Sequence, residues 1–179
     1  KLLDDNEIKK EGNAAALGIP YKSKIFKDGD FKLDDEPFIK ADENSPYGGG
    51  FEDPRLVWIP EEELYVLTYT GVRNYFNAPG LIALSKDLEN WEFLGEAFPE
   101  RAVCITPKKI NGKYWAYYGN ADIYISWSED LRTWHTDRQA VVERRQGAFD
   151  EHICESVAPP LISDEGILLL YNGATKDRA

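Results

Sequence analysis

The stretch of this 179-residue chain best equipped for chemistry is Gly48-Gly49-Gly50-Phe51-Glu52-Asp53-Pro54-Arg55. Three glycines let the backbone turn tightly and approach a ligand closely. Two adjacent carboxylates follow, then a proline that biases Asp53 toward extended geometry, then the guanidinium of Arg55. A strand-like run, Leu56-Val57-Trp58-Ile59, comes next. A carboxylate carried on a glycine-rich turn at the head of a strand sits where folds tend to place catalytic groups. The simpler alternative is a loop in which Asp53 and Arg55 pair with their neighbours. Glu155 is the second carboxylate of interest, reached through Asp150-Glu151-His152-Ile153-Cys154 and followed shortly by Pro159-Pro160. Two carboxyl groups across a sugar-sized gap are the equipment of glycosidic bond cleavage. The simpler alternative for Glu155 is a carboxylate bonded to strand-edge amides.

The elements that must position these groups repeat along the chain. Arg55 to Ile59, a turn at Pro60-Glu61-Glu62-Glu63 and Leu64 to Gly71 make one hairpin. Lys108-Lys109-Ile110, Asn111-Gly112 and Lys113 to Gly119 make a second, with Asn-Gly as its turn signal. Pro160-Leu161-Ile162, Ser163 to Gly166 and Ile167 to Gly173 make a third. Between them the pattern Ser-x-Asp-Leu-x-x-Trp occurs twice, from Ser85 to Trp91 and from Ser128 to Trp134. Asp87 and Asp130 are expected to bond their own turn backbone, and each Trp to pack between sheets. Hairpin, third strand, polar turn and a fourth strand opened by Trp make four antiparallel strands per repeat. That is the pattern of a β-propeller blade. Earlier, Tyr21 to Phe26 reads as a strand, Lys27-Asp28-Gly29-Asp30 as a turn and Phe31 to Ile39 as extended. Residues 1–20 read as an irregular lead-in. The whole of 1–179 is expected to be a single, partial propeller domain. Residues just ahead of each innermost strand converge on the mouth of the central channel, which brings Asp53, the segment Ile105-Thr106-Pro107 and Glu155 toward one cavity.

A net charge of −11 argues against nucleic acid or an anionic membrane as partner. Aromatic residues make up 13% of the chain, which suits β-structure and sugar-binding faces. The two cysteines, Cys104 and Cys154, and the two histidines match no metal-site spacing. Free buried thiols are expected, leaning toward a reducing compartment. No run reaches the length of a membrane span and no signal-peptide core is visible, so the cytoplasm is slightly favoured while the compartment stays undetermined.

Taken together, Gly50-Phe51-Glu52-Asp53-Pro54-Arg55, Lys109-Ile110-Asn111-Gly112-Lys113-Tyr114-Trp115, the two Asp-Leu-x-x-Trp turns and Leu170-Tyr171-Asn172-Gly173 resemble glycoside hydrolase family 130. The resemblance covers roughly residues 20–175 and implies an all-β, five-bladed β-propeller, of which this chain would supply three to four blades. It implies action on β-mannosides by phosphorolysis or hydrolysis, without a cofactor beyond inorganic phosphate in the phosphorolytic case. Asp53 matches the family's catalytic acid, Arg55 would brace the motif or touch substrate, and Tyr171 would lie in the pocket wall. The phosphorolytic branch has a His-Arg pair after the second hairpin and a Lys before the third. Here those regions read Tyr117-Tyr118-Gly119-Asn120 and Ile153-Cys154-Glu155. A phosphate site needs fixed positive charge, whereas Glu155 suits a base that activates water.

The expectation is therefore an inverting β-mannoside hydrolase with Asp53 as acid and Glu155 as base. Tyr118, Asn120, Asp122, Asp150 and Tyr171 join Arg55 as substrate-binding candidates. The alternatives are a mannosyl phosphorylase releasing mannose 1-phosphate and a non-catalytic sugar-binding propeller. An oligosaccharide is the expected partner. A partial propeller exposing strand edges is also expected to associate, with copies of itself or with the rest of a longer chain.

Overall fold

Alternating apolar and polar residues make strands here, and the strands pair as antiparallel ladders. The structure is a computed structural model that describes residues 23–25, 31–33, 35–40, 44–74 and 77–178. The expected lead-in over residues 1–20 and the turn at Lys27 to Asp30 lie outside the described residues. The strands are β1 (Ser23–Ile25), β2 (Phe31–Leu33), β3 (Phe51–Ile59), β4 (Leu64–Gly71), β5 (Gly80–Ser85), β6 (Glu92–Phe98) and β7 (Cys104–Ile105). They continue with β8 (Tyr114–Tyr118), β9 (Ile123–Ser128), β10 (His135–Val142), β11 (Ile153–Ser156), β12 (Leu161–Ser163), β13 (Gly166–Leu168) and β14 (Tyr171–Ala174).

The chain divides into two compact units, residues 1–52 with 71–77, and residues 53–70 with 78–179. In the first, β1 pairs with β2 from Ser23 opposite Leu33 to Ile25 opposite Phe31. Gly49 N–H also donates to the Val72 carbonyl there, and Val72 N–H to the Gly50 carbonyl, both at 2.9 Å. A Cβ on Gly49 would stand 2.5 Å from Val72 Cγ1, so this close approach requires glycine.

In the second unit two four-stranded sheets follow one another, ordered β3-β4-β5-β6 and β7-β8-β9-β10. Each is the expected hairpin plus third and fourth strands. Their facing sides make the main core. Val57, Ile59, Val66, Ile82, Leu84 and Phe98 of the first sheet cluster with Ile105, Tyr114, Ala116 and Tyr118 of the second. On β8 the alternate residue Tyr117 points the other way and joins Ile123 and Cys154 in a second cluster. The strand is thus buried on both faces, which its run Tyr-Trp-Ala-Tyr-Tyr satisfies. Cys104 and Cys154 are both free and buried.

Two hairpins differ from the sequence expectation. The second was placed with its first strand at Lys108-Lys109-Ile110, but the strand is Cys104–Ile105, opposite Tyr117 and Ala116. Only an isolated bridge from Ile110 to Lys113 remains where the strand was expected. The apolar, fully buried pair Cys104 and Ile105 outcompetes the solvated lysines for the place beside β8. The third hairpin is longer than expected. β12 and β13 form its tip, and β11 pairs with β14 below them, Glu155 opposite Asn172 and Ser156 opposite Tyr171.

The two Ser-x-Asp-Leu-x-x-Trp turns are near copies. Asp87 Oδ1 accepts the N–H groups of Glu89 and Asn90 at 2.9 and 2.7 Å. Asp130 Oδ1 accepts those of Arg132 and Thr133, both at 2.8 Å. Leu88 and Leu131 share a positive φ of 65° and 63°, and Trp91 and Trp134 each donate their indole N–H to that leucine's carbonyl at 3.2 Å. Trp134 packs against the main core, as the repeat implied. The amide of Asn90 holds Asp87, and that of Thr133 holds Asp130, below the ordinary carboxylate range. A carboxylate whose folded pKa is depressed contributes stability that is complete above its unfolded value, near 3.8, and is lost as pH falls through the folded value. Melting temperature should therefore drop below about pH 4. The double substitution Asp87→Ala and Asp130→Ala should lower it at pH 7 and flatten its dependence between pH 4 and 2. An unchanged slope in a thermal-melt series would rule out these turns as its source.

Candidate functional site

Asp53 lies near the head of β3 in an unusual backbone state. Its φ is +53°, in the left-handed region, although Pro54 was expected to hold it extended. The neighbours explain the departure. Arg55 Nη1 donates to the Asp53 carbonyl at 2.9 Å, closing a tight loop over the proline. The Asp53 carboxylate is meanwhile pinned by Arg101 and by the buried Thr70 of β4. Aspartate tolerates this region better than most residues, and such strain concentrates at functional sites.

Arg101 binds Asp53 Oδ2 through two nitrogens, Nη2 at 2.6 Å and Nε at 3.0 Å. The same Nε lies 3.6 Å from Glu155 Oε1. One guanidinium therefore stands between the two carboxylates that the sequence singled out, drawn from residues 53, 101 and 155. All three side chains are about a quarter or a fifth exposed, so the group is sheltered yet open to a ligand.

The scaffold beneath is made of carbonyls accepting specific donors. Arg55 Nη2 reaches across to the Ser156 carbonyl at 2.7 Å, strapping the head of β3 to the end of β11. Ser156 Oγ donates to the Ala102 carbonyl at 2.5 Å, Thr68 Oγ1 to the Val103 carbonyl at 2.6 Å, and Gly119 N–H to the Arg101 carbonyl at 2.8 Å. Gly119 has φ +114°, and a Cβ there would meet the Asp122 carbonyl at 2.3 Å, so only glycine fits. The segment 101–103 is thus held at every carbonyl, although Ala102 itself carries a positive φ of 60°.

The other candidates do not join this group. Tyr118 is fully buried in the main core, its ring against Phe98 and Tyr124. It was proposed for substrate contact, but its place on β8 turns it between the sheets. Asp150 is also fully buried, chelated by Arg145 Nε at 3.1 and 3.0 Å and by the Tyr171 hydroxyl at 2.9 Å. Arg145 holds Asp150 below the usual carboxylate range, and donation to that carboxylate raises Tyr171. Asp150, in the turn ahead of β11, and Tyr171, at the start of β14, are thus bonded to each other. Asp122 is bound by Arg144, Nε at 3.1 Å and backbone N–H at 3.0 Å. It lines a separate open polar cleft of about 390 Å³ with Glu143, Arg144, Gln146, Glu151 and Lys176. Neither Asp53, Arg101 nor Glu155 lines that cleft, in which Asp122 and Arg144 pair with each other. Asn120 is half-buried on the turn after β8. No cluster of three or more His, Cys, Asp or Glu side chains among the described residues is arranged to hold a metal.

Arg101 was not singled out by sequence. The signal was present: residues ahead of each innermost strand converge, and for the second sheet those are 101–103. Placing that strand at residues 108–110 moved attention to Ile105-Thr106-Pro107 instead.

The glycoside hydrolase 130 family model, described as β-1,4-mannooligosaccharide phosphorylase, matches residues 22–179. A β-1,2-mannobiose phosphorylase of Listeria innocua serovar 6a is 37% identical over 96% of this chain and 50% of its own length. The solved structure of a Listeria innocua β-1,2-mannobiose phosphorylase, in complex with β-1,2-mannobiose, superposes with a TM-score of 0.73 at 34% identity, covering 84% of this chain and 44% of that one. Another solved structure superposes at 0.74 with 30% identity, over 84% of this chain and 50% of its own. It is described with the GH130 family of mannoside phosphorylases, which contains glycoside hydrolases that target β-1,2 mannosidic linkages in Candida mannan. The chain spans about half the length of the curated relatives it matches.

Proposed function

The chain belongs to glycoside hydrolase family 130, an all-β, five-bladed propeller family of which it covers about half, and on that premise we propose that the full-length protein cleaves β-mannosidic bonds by phosphorolysis. In this reading phosphate attacks C1 of the mannosyl unit from the face opposite the leaving oxygen. The C1–O bond breaks, its electron pair goes to the glycosidic oxygen, and a proton from Asp53 neutralises it, directly or through a sugar hydroxyl. Inversion then gives α-mannose 1-phosphate and a shortened sugar.

The observation that carries the proposal is Arg101 between Asp53 and Glu155. The sequence argument for hydrolysis rested on missing positive charge, sought after β8 and ahead of β11. Arg101 supplies a fixed guanidinium from a third place, beside the acid, with donors suited to a phosphate oxygen. Relatives named as mannobiose phosphorylases support the same reaction and point to β-1,2-mannobiose as the first substrate to test. Hydrolysis stands as the second reading because of Glu155, whose carboxylate flanks the same guanidinium and could activate water.

Incubating the full-length protein with β-1,2-mannobiose, with and without phosphate, tests both. Mannose 1-phosphate and mannose in equal amounts, formed only with phosphate, is the expected result. Free mannose alone, independent of phosphate, would favour the hydrolase. No turnover under either condition would remove both and leave a sugar-binding propeller.

A further inference from the structure

We infer that Arg101 is a positioning residue for the acid, loading one oxygen of Asp53 with donors so that the transferable proton is carried on the other, Oδ1. The inference rests on the mannoside-cleaving reading above. Among the described residues, every side-chain hydrogen bond of Asp53 ends on Oδ2: Arg101 Nη2 at 2.6 Å, Arg101 Nε at 3.0 Å and Thr70 Oγ1 at 3.2 Å. Guanidinium N–H groups only donate, so a proton placed on Oδ2 would point hydrogen at hydrogen. A neutral carboxyl has one carbonyl oxygen, the better acceptor, and one hydroxyl. Three donors on Oδ2 make it the carbonyl and leave Oδ1 as the hydroxyl.

Arg101 is built to impose this choice. The carbonyls of Arg101, Ala102 and Val103 are each held by a donor from a different strand or turn, Gly119 N–H, Ser156 Oγ and Thr68 Oγ1. The same Nε that donates to Asp53 also lies 3.6 Å from Glu155 Oε1, a second carboxylate that helps to hold the guanidinium in place. In the bond-breaking step the electron pair of the C1–O bond moves to the glycosidic oxygen. The Oδ1–H bond then gives its proton to that oxygen, or to a sugar hydroxyl that relays it. Asp53 is left as a carboxylate, its charge received by the guanidinium already on Oδ2.

Leaving-group chemistry separates this role from others. β-1,2-Mannobiose releases mannose, a poor leaving group that needs the proton, whereas a dinitrophenyl β-mannoside releases a phenolate that does not. Full-length protein carrying Arg101→Gln or Arg101→Lys would be assayed on both, beside Asp53→Asn, with phosphate raised until the rate no longer climbs. Arg101→Gln should lose about 100-fold in kcat on mannobiose, within the range ascribed to general acid catalysis, and only a few-fold on the aryl mannoside. Asp53→Asn should show the same contrast, and Arg101→Lys should recover part of the mannobiose rate. Equal losses on both substrates in Arg101→Gln and Arg101→Lys, with phosphate saturating, would overturn the inference and leave Arg101 only the phosphate-binding role proposed above or a part in the fold. Undiminished mannobiose turnover in Arg101→Gln would overturn it as well. Failure of the unaltered protein on both substrates would instead overturn the mannoside reading, and the inference with it.

Discussion

Asp53→Asn should lower kcat on β-1,2-mannobiose by a factor of about 10² to 10⁴, the usual contribution of a positioned acid, while leaving sugar affinity within a few-fold. The substitution keeps the size of the side chain. Its carbonyl oxygen can take the place of Oδ2, accepting from Arg101 and Thr70, which orients the amide nitrogen where Oδ1 stood. That nitrogen cannot yield a proton. Because the pinning contacts survive, the loss should fall on kcat and not on the melting temperature. Steady-state kinetics beside a calorimetric mannobiose titration would separate these quantities. Full turnover in Asp53→Asn would mean that the acid lies elsewhere, and Glu155 would be the next carboxylate to examine.

The residues that carry this prediction were legible in the sequence to different depths. Asp53 and Glu155 could be paired because the hairpin repeat has a fixed phase, and the phase says which residues precede an inner strand. The turns at Ser85 and Ser128 were legible in full, since each is a local matter of one Ser, one Asp and the amides next in sequence. Arg101 was not, because its place depends on which of two short segments pairs with β8. Periodicity favoured Lys108 to Ile110 beside an Asn-Gly turn, while burial favoured Cys104–Ile105, and burial is a tertiary quantity. The backbone of Asp53 was misread for a similar reason. A proline's local preference was weighed without the Arg55 and Arg101 contacts that override it. Tyr118 and Asp150 show the converse effect of tertiary packing. Both lie near site segments in sequence, but strand alternation turns the tyrosine into the core, and Arg145 with Tyr171 claims the aspartate.

Arg55→Met should show what holds the acid in its strained state. Arg55 makes two charge-assisted bonds to carbonyls, to Asp53 at 2.9 Å and Ser156 at 2.7 Å. Bonds to a charged group contribute about 1.5–3 kcal/mol each. Against them stands Arg55 Nε, buried without a hydrogen-bond partner among the described residues, and removing such an orphan recovers about 1–3 kcal/mol. Methionine fills much the same length, so the packing loss is small. The net destabilisation should be about 2 kcal/mol, read as a lower urea midpoint at unchanged slope. The effect on rate should be larger in proportion. Without the strap, Asp53 is free to relax toward the extended backbone its proline prefers, and the head of β3 loses its tie to β11. A displacement of about 1 Å at a reacting group costs about 100-fold, so kcat should fall by about that factor while the fold persists. Arg55→Lys keeps the charge but reaches one carbonyl at a time, and should lie between the two. A rate loss no greater than that of Arg55→Lys, with the full stability loss retained, would show that the strap serves the fold alone and that Arg101 and Thr70 suffice to hold the acid.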